Sequence, residues 1–417
     1  MFQNNLLMAA ASISSDAAYT VDYSCRFDKS TPAYLSYTPG SAGDRRQITM
    51  SYWQKRCNIG GQQITFQSGS TYWQFGNSNE EFNLLSDGSG NIKSTRIFRD
   101  ISAWSHFVIS FDTEQDVPSN RIRVWVNGIP ITDWSSLTAP TKDTDLSITN
   151  TVAQVWGVYG TSTYPMDGYL SQVCMIDGLA LGPTSFGEFS NNVWRPIDIT
   201  GLTFGTTGYL LDFADSSALG NDVSGNDNDF STSGLDSGDQ TSDTPTNNHM
   251  NFASLARGGD ADHIATVSNG GLTTTKSTDK HAGPVTGTAI GGSGKWYCEG
   301  KVTNVTGAKI GICTTTSDWL WDTIENTLGY YSTAWSLAIS DGNKWNNNTS
   351  TSYGSAVSAD DVVQMAIDLD NSKIWWGVNG TFIASGDPAA GSNEAFSNLT
   401  TTDDYFIAAS IQNGGAI

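Results

Sequence analysis

Positive charge is scarce in this chain. Lysine and arginine number 21 against 42 aspartates and glutamates, a net charge of −21 over 417 residues. A nucleic-acid groove or an anionic membrane surface needs basic patches, so neither partner is expected. Cysteine is sparse as well. Cys25, Cys57, Cys174, Cys298 and Cys313 are odd in number, far apart and free of any C-x-x-C. That spacing argues against structural zinc, and domains of this size do not need a disulfide framework. Free buried thiols are the expectation, with Cys298 and Cys313 the one pair to inspect because both lie in strand-like runs. Long hydrophobic runs are missing too. The start, MFQNNLLMAAASISS, lacks the basic region of a signal peptide, and its apolar run is too short to span a bilayer. A soluble protein without membrane insertion is expected, one that would need another export route for any external role. Finally, no stretch keeps an apolar period of about 3.6 residues for three turns, which removes helical architectures.

What remains is rich in turn and strand formers. Glycine reaches 43 and tryptophan 14, and aromatics recur along most of the chain, unlike a disordered tail. QITMSYWQKR, QITFQSGSTYWQF, HFVISFDT, RIRVWV, VAQVWGVY and YLSQVCMI are β-branched and aromatic, separated by Gly, Asn, Asp, Ser and Pro. Short strands at this spacing mean a sandwich or barrel. The length allows roughly two to three domains. Between Leu211 and Asn248 the character changes, with eight aspartates and no Lys or Arg. This stretch reads as a connector. Phe213, Leu219, Val223 and Phe230 would pin its first half to a sandwich, and its second half would be a solvated linker.

One phrase is written twice. RVWVNGIPI spans Arg123–Ile131 and IWWGVNGTFI spans Ile374–Ile383. Asn127–Gly128 and Asn379–Gly380 each fit a two-residue type I′ hairpin, whose central residues both need φ > 0. HFVISFD, ending at Asp112, precedes the first hairpin, and VVQMAID, ending at Asp368, precedes the second. Two domains of related architecture are the expectation.

At these residues the chain resembles known families. AWSHFVISFD (Ala103–Asp112), RIRVWVNGIPI and MDGYLSQVCMIDGLAL (Met166–Leu181) look like strands of laminin-G-like, concanavalin-like lectin domains, over roughly Tyr19 to Arg195. GKWYCEGKV (Gly294–Val302), KIGI (Lys309–Ile312), DVVQMAIDLDNSKIWWGVNGTFI and YFIAAS (Tyr405–Ser410) look like a SPRY domain. Both resemblances imply jelly-roll sandwiches. The pair, with DFADSSALGNDVSGNDNDF and DTPTNN between, resembles tail-fibre-like or virion structural proteins of bacteriophages, marine ones especially. SPRY domains usually run past the YFIAAS-type strand into an Asn-Phe-Gly-like strand. This sequence stops at Ile417, so either it is truncated or an edge is left for another chain to cover.

The expected fold is therefore all-β: two concanavalin-like jelly-roll β-sandwiches in tandem. Residues 1–18 form an N-terminal segment expected to anchor to other virion proteins. The first sandwich takes 19–205, an acidic Gly/Ser/Asp/Asn-rich connector 206–262, and the SPRY-like sandwich 263–417.

Catalysis finds little support. Laminarinase-type sandwiches place carboxylates as Glu-x-Asp-x-(x)-Glu on one strand, and no glutamate here has that spacing. The neighbours Glu80 and Glu81 would point to opposite faces. No Gly-x-Ser-x-Gly elbow exists, His106 reads as structural, and His249, His263 and His281 lie in loop-like sequence. GGSGK at Gly291–Lys295 fails as a P-loop because Trp296 stands where Ser or Thr is needed. No enzyme is expected. DVSGNDND (Asp222–Asp229) offers hard oxygens that suit calcium, from Asp222, Asn226, Asn228 and Asp229, with Asp212 and Asp215 as extra ligands. The same residues are ordinary turn formers. Asp112, Glu114 and Asp116 are a weaker set. No cofactor is required, and calcium is the one candidate.

A sugar site needs an aromatic face beside amides or carboxylates. Trp319 and Trp321 in SDWLWDT, and Trp73 with Asn77 and Asn79, are the candidates; for each loop tryptophan the competing reading is core or interface packing. The function expected is a virion-surface fibre or adhesin that binds host-surface polysaccharide by loops on rigid sandwiches. Its partners would be other virion proteins and further copies of itself, a trimer favoured, which would raise apparent affinity roughly 10²- to 10⁴-fold. The alternative is a purely structural capsid or fibre protein, in which these aromatics serve subunit contacts.

Overall fold

A computed structural model describes residues 19–76, 79–253, 264–278, 281–320, 326–400, 402–412 and 416. The anchor segment 1–18, Asn77, Trp321 and His263 lie outside the described residues. Among those described there is no α-helix, only strands and short 3-10 turns, and no helix long and apolar enough to cross a membrane. The chain divides into two compact units, Met1–His249 and Met250–Ile417.

The first unit packs two eight-stranded antiparallel sheets. One runs Ile129–Pro130, Ile122–Val126, Ser105–Asp112, Gln47–Arg56, Gly168–Asp177, Ser24–Phe27 and Gln240–Thr241, with Tyr209–Leu211 also paired to Gly168–Asp177. The second runs Trp134–Thr138, Gly90–Ile97, Glu81–Ser86, Thr71–Phe75, Gln63–Ser68, Gln154–Trp156, Tyr34–Tyr37 and Ser231–Ser233. Strand side chains alternate between faces, so every second residue builds the core. Ile48, Met50 and Tyr52 from the first sheet meet Phe66, Trp73 and Trp156 from the second, all fully buried. Tyr52 lies 6.1 Å from Trp73, and Phe66 stacks on Trp73 at 4.4 Å. Burying each such side chain contributes about 1.5–3 kcal/mol, before the entropy of ordering it.

The acidic stretch is not a connector up to His249. Phe213, Leu219 and Phe230 enter the core, whereas Val223 stays 40% exposed. The half expected to be solvated pairs instead. Ser231–Ser233 adds to Tyr34–Tyr37, and Gln240–Thr241 adds to Ser24–Phe27. Between them, Asp236 and Asp239 form a reciprocal capping box on a 3-10 turn. Asp243 then closes the unit. Its carboxylate takes the Lys55 ammonium at 2.8 Å and the Trp104 indole N–H at 2.9 Å, and Lys55 also donates to Asn248 Oδ1 and the His249 carbonyl. Aspartates that read as linker solvation are thus fastening points.

The second unit packs a seven-stranded sheet against a four-stranded one. The larger runs Phe252–Ala253, Val285–Thr286, Tyr405–Ser410, Lys309–Thr314, Ala334–Ala338, Lys344–Asn346 and Thr349–Thr351. The smaller runs Lys295–Lys301, Val362–Asp368, Lys373–Val378 and Thr381–Phe382. Ile312, Trp335 and Ile407 face Met365, Ile367, Ile374 and Trp376 across the core. Cys298 and Cys313 fall in different sheets, and all five cysteines are free.

The repeated phrase is one device used twice. Asn127 and Gly128 have φ of 51° and 75°; Asn379 and Gly380 have 50° and 84°. Both asparagines also brace the strand before the hairpin. Asn127 accepts the His106 N–H on Oδ1 at 2.8 Å and donates its own N–H to the His106 carbonyl at 2.9 Å. Asn379 does the same with Val362, at 2.9 Å in each direction.

Candidate functional site

Of the tryptophans expected to meet sugar, the two that are described, Trp73 and Trp319, are core residues. Trp73 is fully buried against Phe66. Trp319 is fully buried with Leu328, Ala334 and Ala408, its indole N–H donating to the Asn326 carbonyl at 3.2 Å. Neither ring has a free face. Asn79 is exposed, and its backbone N–H donates to the Glu81 carboxylate at 2.6 Å. It has no indole platform beside it, because the Trp73 ring turns inward.

The calcium residues are likewise engaged locally. Asp222 accepts four hydrogen bonds, from Leu210 N, Ser224 N, Ser224 Oγ and Asn228 N, each at 2.9 Å. Asp229 accepts Asp222 N–H at 2.8 Å. The amides of Asn226 and Asn228 donate to carbonyls of residues 205–208, and Asn228 Oδ1 accepts the Tyr37 hydroxyl. Asp212 accepts Ala214 N–H, and Asp215 takes the backbone and hydroxyl of Ser217. The loop is a hydrogen-bonded hub, the turn-forming use of these residue types. Among the described residues no three His, Cys, Asp or Glu side chains gather for a metal. The weaker set is dispersed: Asp112 accepts from Gln115, Glu114 from Gln47, and Asp116 pairs with Lys142.

Other titratable groups have structural partners. Glu80 pairs with Arg56 at 2.7 Å and Glu81 with Lys93 at 2.8 Å, each carboxylate held by its own cation. His106 is buried between Trp53 and Trp194. The Trp194 N–H donates to His106 Nδ1 at 2.9 Å, which leaves the proton on Nε2, facing Ser51 Oγ at 2.9 Å. Burial holds its pKa down at about 3, so the ring is neutral.

The sequence missed a face that lies one residue away from Trp73. Cross-strand partners on the outer face of the second sheet form a row: Asn91, Leu85, Tyr72, Gln67, Val155, Ser36 and Ser231. Its inner counterpart is the core row Ile92, Leu84, Trp73, Phe66, Trp156 and Leu35. The alternation in TYWQF was visible in sequence; which parity faced out was not.

Along this row lies a groove of about 500 Å³, walled by Tyr34, Ser36, Gln67, Thr161 and Ser231–Ser233. None of its lining residues is charged. Tyr159 is 39% and Tyr164 47% exposed beside it, and Tyr159 meets Tyr72 edge-on at 5.4 Å. Partial burial, then the nearby Tyr159 and Tyr164, raise the Tyr72 pKa, so its hydroxyl stays protonated and able to donate. Gln67 Oε1 already accepts Gly160 N–H at 2.7 Å, which fixes the 159–164 turn against the strand. The surface therefore offers aromatic faces, amides and hydroxyls with no formal charge.

Comparison with curated proteins found no match. Among solved structures, the SPRY domain of human HERC1 is similar at 16% identity, covering 36% of this chain and 89% of that one, with a TM-score of 0.30. A candidate carbohydrate-binding protein from Bacteroides ovatus is similar at 12% identity over 54% of this chain and 60% of that one, TM-score 0.38. A heptameric SAP-like pentraxin from Limulus polyphemus is similar at 16% identity over 40% of this chain and 80% of that one, TM-score 0.31. A family match covers the second unit's strands from Lys295 onward: residues 295–417 form a SPRY domain, carried on a chain whose other unit is a further β-sandwich.

Proposed function

We propose that this protein binds glycans non-covalently through the outer face of the second sheet of its first sandwich. The observation that carries this reading is the uncharged groove of hydroxyls and amides flanked by Tyr34, Tyr72, Tyr159 and Tyr164. Sugar C–H faces stack on phenol rings, and sugar hydroxyls need both donors and acceptors, which serine, threonine and glutamine supply. Anionic ligands would gain nothing here, because no cation lines the groove. Neutral polysaccharide is the substrate class.

The reading includes a place for the protein. The tandem sandwiches resemble, in sequence, virion structural and tail-fibre-like proteins of bacteriophages, so attachment to a host surface is the role proposed. Each site would be weak, and a homo-oligomer such as a trimer would multiply it. Catalysis is not part of the proposal, since Glu80 and Glu81 are each held by a cation. Calcium is not required either.

Array binding of the purified chain to neutral and charged polysaccharides, with and without chelator, tests this. The expected result is chelator-insensitive binding to neutral polymers that falls in Tyr72→Ala and Tyr159→Ala. Absence of binding by the folded protein, or binding untouched by both substitutions, would remove the site.

A further inference from the structure

Strand Gln47–Arg56 carries an amine with no route to water. Lys55 is 0% exposed, and it shares its parity with Trp53, on the face turned away from Met50 and Tyr52. Its ammonium has three acceptors, all from residues 243–249: Asp243 Oδ2 at 2.8 Å, Asn248 Oδ1 at 2.8 Å and the His249 carbonyl. Two of the three are side chains, and each is itself held in place. Asp243 Oδ1 accepts the Trp104 indole N–H at 2.9 Å and the His249 N–H at 3.1 Å, which leaves Oδ2 to the lysine. Asn248 Nδ2 donates to the Ser102 carbonyl at 2.8 Å, which turns Oδ1 toward the same ammonium. Trp53, Cys57, Trp104, Tyr169 and Trp194 cluster on this face, and the lysine Nζ lies over the Tyr169 ring at 5.9 Å. An amine, a carboxamide and a carboxyl group thus meet within hydrogen-bond reach under an aromatic cover.

We propose that this is a modification site, at which Lys55 Nζ and Asn248 Cγ join in an intramolecular isopeptide bond while Asp243 moves the protons. The ion pair is the state from which the bond forms. A carbonyl bond is about 1.23 Å long, so Asn248 Cγ stands no more than about 4 Å from Nζ, and a small turn of the amide reaches the near-attack range of about 3–3.5 Å. The balance closes without a co-reactant. Asp243 Oδ2 takes one proton from Nζ across their hydrogen bond, which frees the nitrogen lone pair. Nζ attacks Cγ, and the carbonyl electron pair moves onto Oδ1. A second proton passes from Nζ through Asp243 to Nδ2. The Cγ–Nδ2 bond breaks as the carbonyl re-forms, and ammonia leaves. The new amide nitrogen keeps one hydrogen, and the proton taken first stays on Asp243.

Burial favours this direction. Two charges held out of water carry a desolvation penalty, and the product replaces them with a neutral amide and a neutral acid. The same cover excludes the water that hydrolysis would need. Folding supplies the proximity, since Lys55 and Asn248 are 193 residues apart in sequence. The bond would also change how the first unit bears load. Gln240–Thr241 is an edge strand held to Ser24–Phe27, whereas Gln47–Arg56 lies inside the same sheet. A pull on the chain beyond His249 would reach the inner strand directly and bypass the edge.

Intact mass and a tryptic map of the purified full chain test this. Expected are a mass below that of the sequence by one ammonia, no cleavage after Lys55, and one branched peptide that joins the Lys55 and Asn248 segments. Lys55→Arg keeps the cation without a nucleophilic amine, and Asp243→Asn removes the proton carrier; both should return the full mass. If these variants fail to fold, the map of the parent chain still decides. Full sequence mass in the parent, with trypsin cutting after Lys55, would overturn the proposal. So would loss of water in place of ammonia, which would move the bond to Asp243. Loss of ammonia within one unbranched peptide would overturn it as well, because succinimide formation at Asn127–Gly128 or Asn379–Gly380 gives that result. Glycan binding plays no part in these readouts, so the two proposals fail separately.

Discussion

A Cβ added to Gly128 would stand 2.4 Å from the Trp194 ring, whereas one added to Gly380 would meet only the Gln364 amide, at 3.9 Å. Hairpin, asparagine brace and preceding strand are otherwise matched. The difference is what lies on the sheet. In the first unit the chain returns through residues 178–204, roofing Thr49, Val108 and Trp125 with Leu181, Phe186, Ile199 and Trp194. In the second the return is shorter and roofs only part of the face. A local motif specifies its own backbone and leaves its environment open. The environment then sets both the cost of changing the motif and the surface left for ligands.

The largest expected effects break the first unit alone. Trp73→Ala should cost about 3–5 kcal/mol, while Tyr72→Ala, one residue away on the outer face, should leave the melting temperature nearly unchanged and reduce only glycan binding. Denaturant unfolding and the array separate the two. Lys55→Met strands the buried Asp243 carboxylate and should cost about 3–5 kcal/mol, read as loss of the first unit's transition with the second's intact. Equal loss in both units would argue against treating the fastening as a property of one sandwich.

Gly128→Ala and Gly380→Ala sharpen the comparison directly. Both residues have positive φ, so each alanine should cost about 1 kcal/mol in backbone strain. Only Gly128→Ala should cost more, because Trp194 must move. Equal effects would show that the roof yields easily.

The smallest effects per pH unit are two slopes of the same sign in separate pH windows. Burial depresses the His106 pKa to about 3, against an ordinary value of 6.5. The unfolded chain therefore binds this proton first, and the first unit's stability is full above pH 6.5 and falls as pH drops toward 3. Lys309, in the second unit, lies over the Trp345 ring at 3.6 Å, with burial lowering its pKa from 10.5 to about 8. Here the unfolded chain keeps its proton longer, so stability rises as pH climbs from about 8 to 10.5. Each slope is at most about 1.4 kcal/mol per pH unit. Melting curves of His106→Asn and Lys309→Met should each lose the corresponding slope.

Sequence alone determined the all-β class and the twin Asn-Gly hairpins. These follow from short-range chemistry: β-branched alternation and turn residues that tolerate φ > 0. The SPRY strands were legible for the same reason. Tertiary structure decided which parity of TYWQF faced the core, because alternation marks two faces and does not say which one another sheet will cover. It also turned Ser231–Asp243 from an expected linker into strand partners, a capping box and a buried ion pair, and made Asp222 the acceptor at the centre of a loop. Those roles depend on donors such as Leu210 N, Lys55 and Trp104, which lie from about a dozen to nearly two hundred residues away in sequence. Only folding brings them within hydrogen-bond reach.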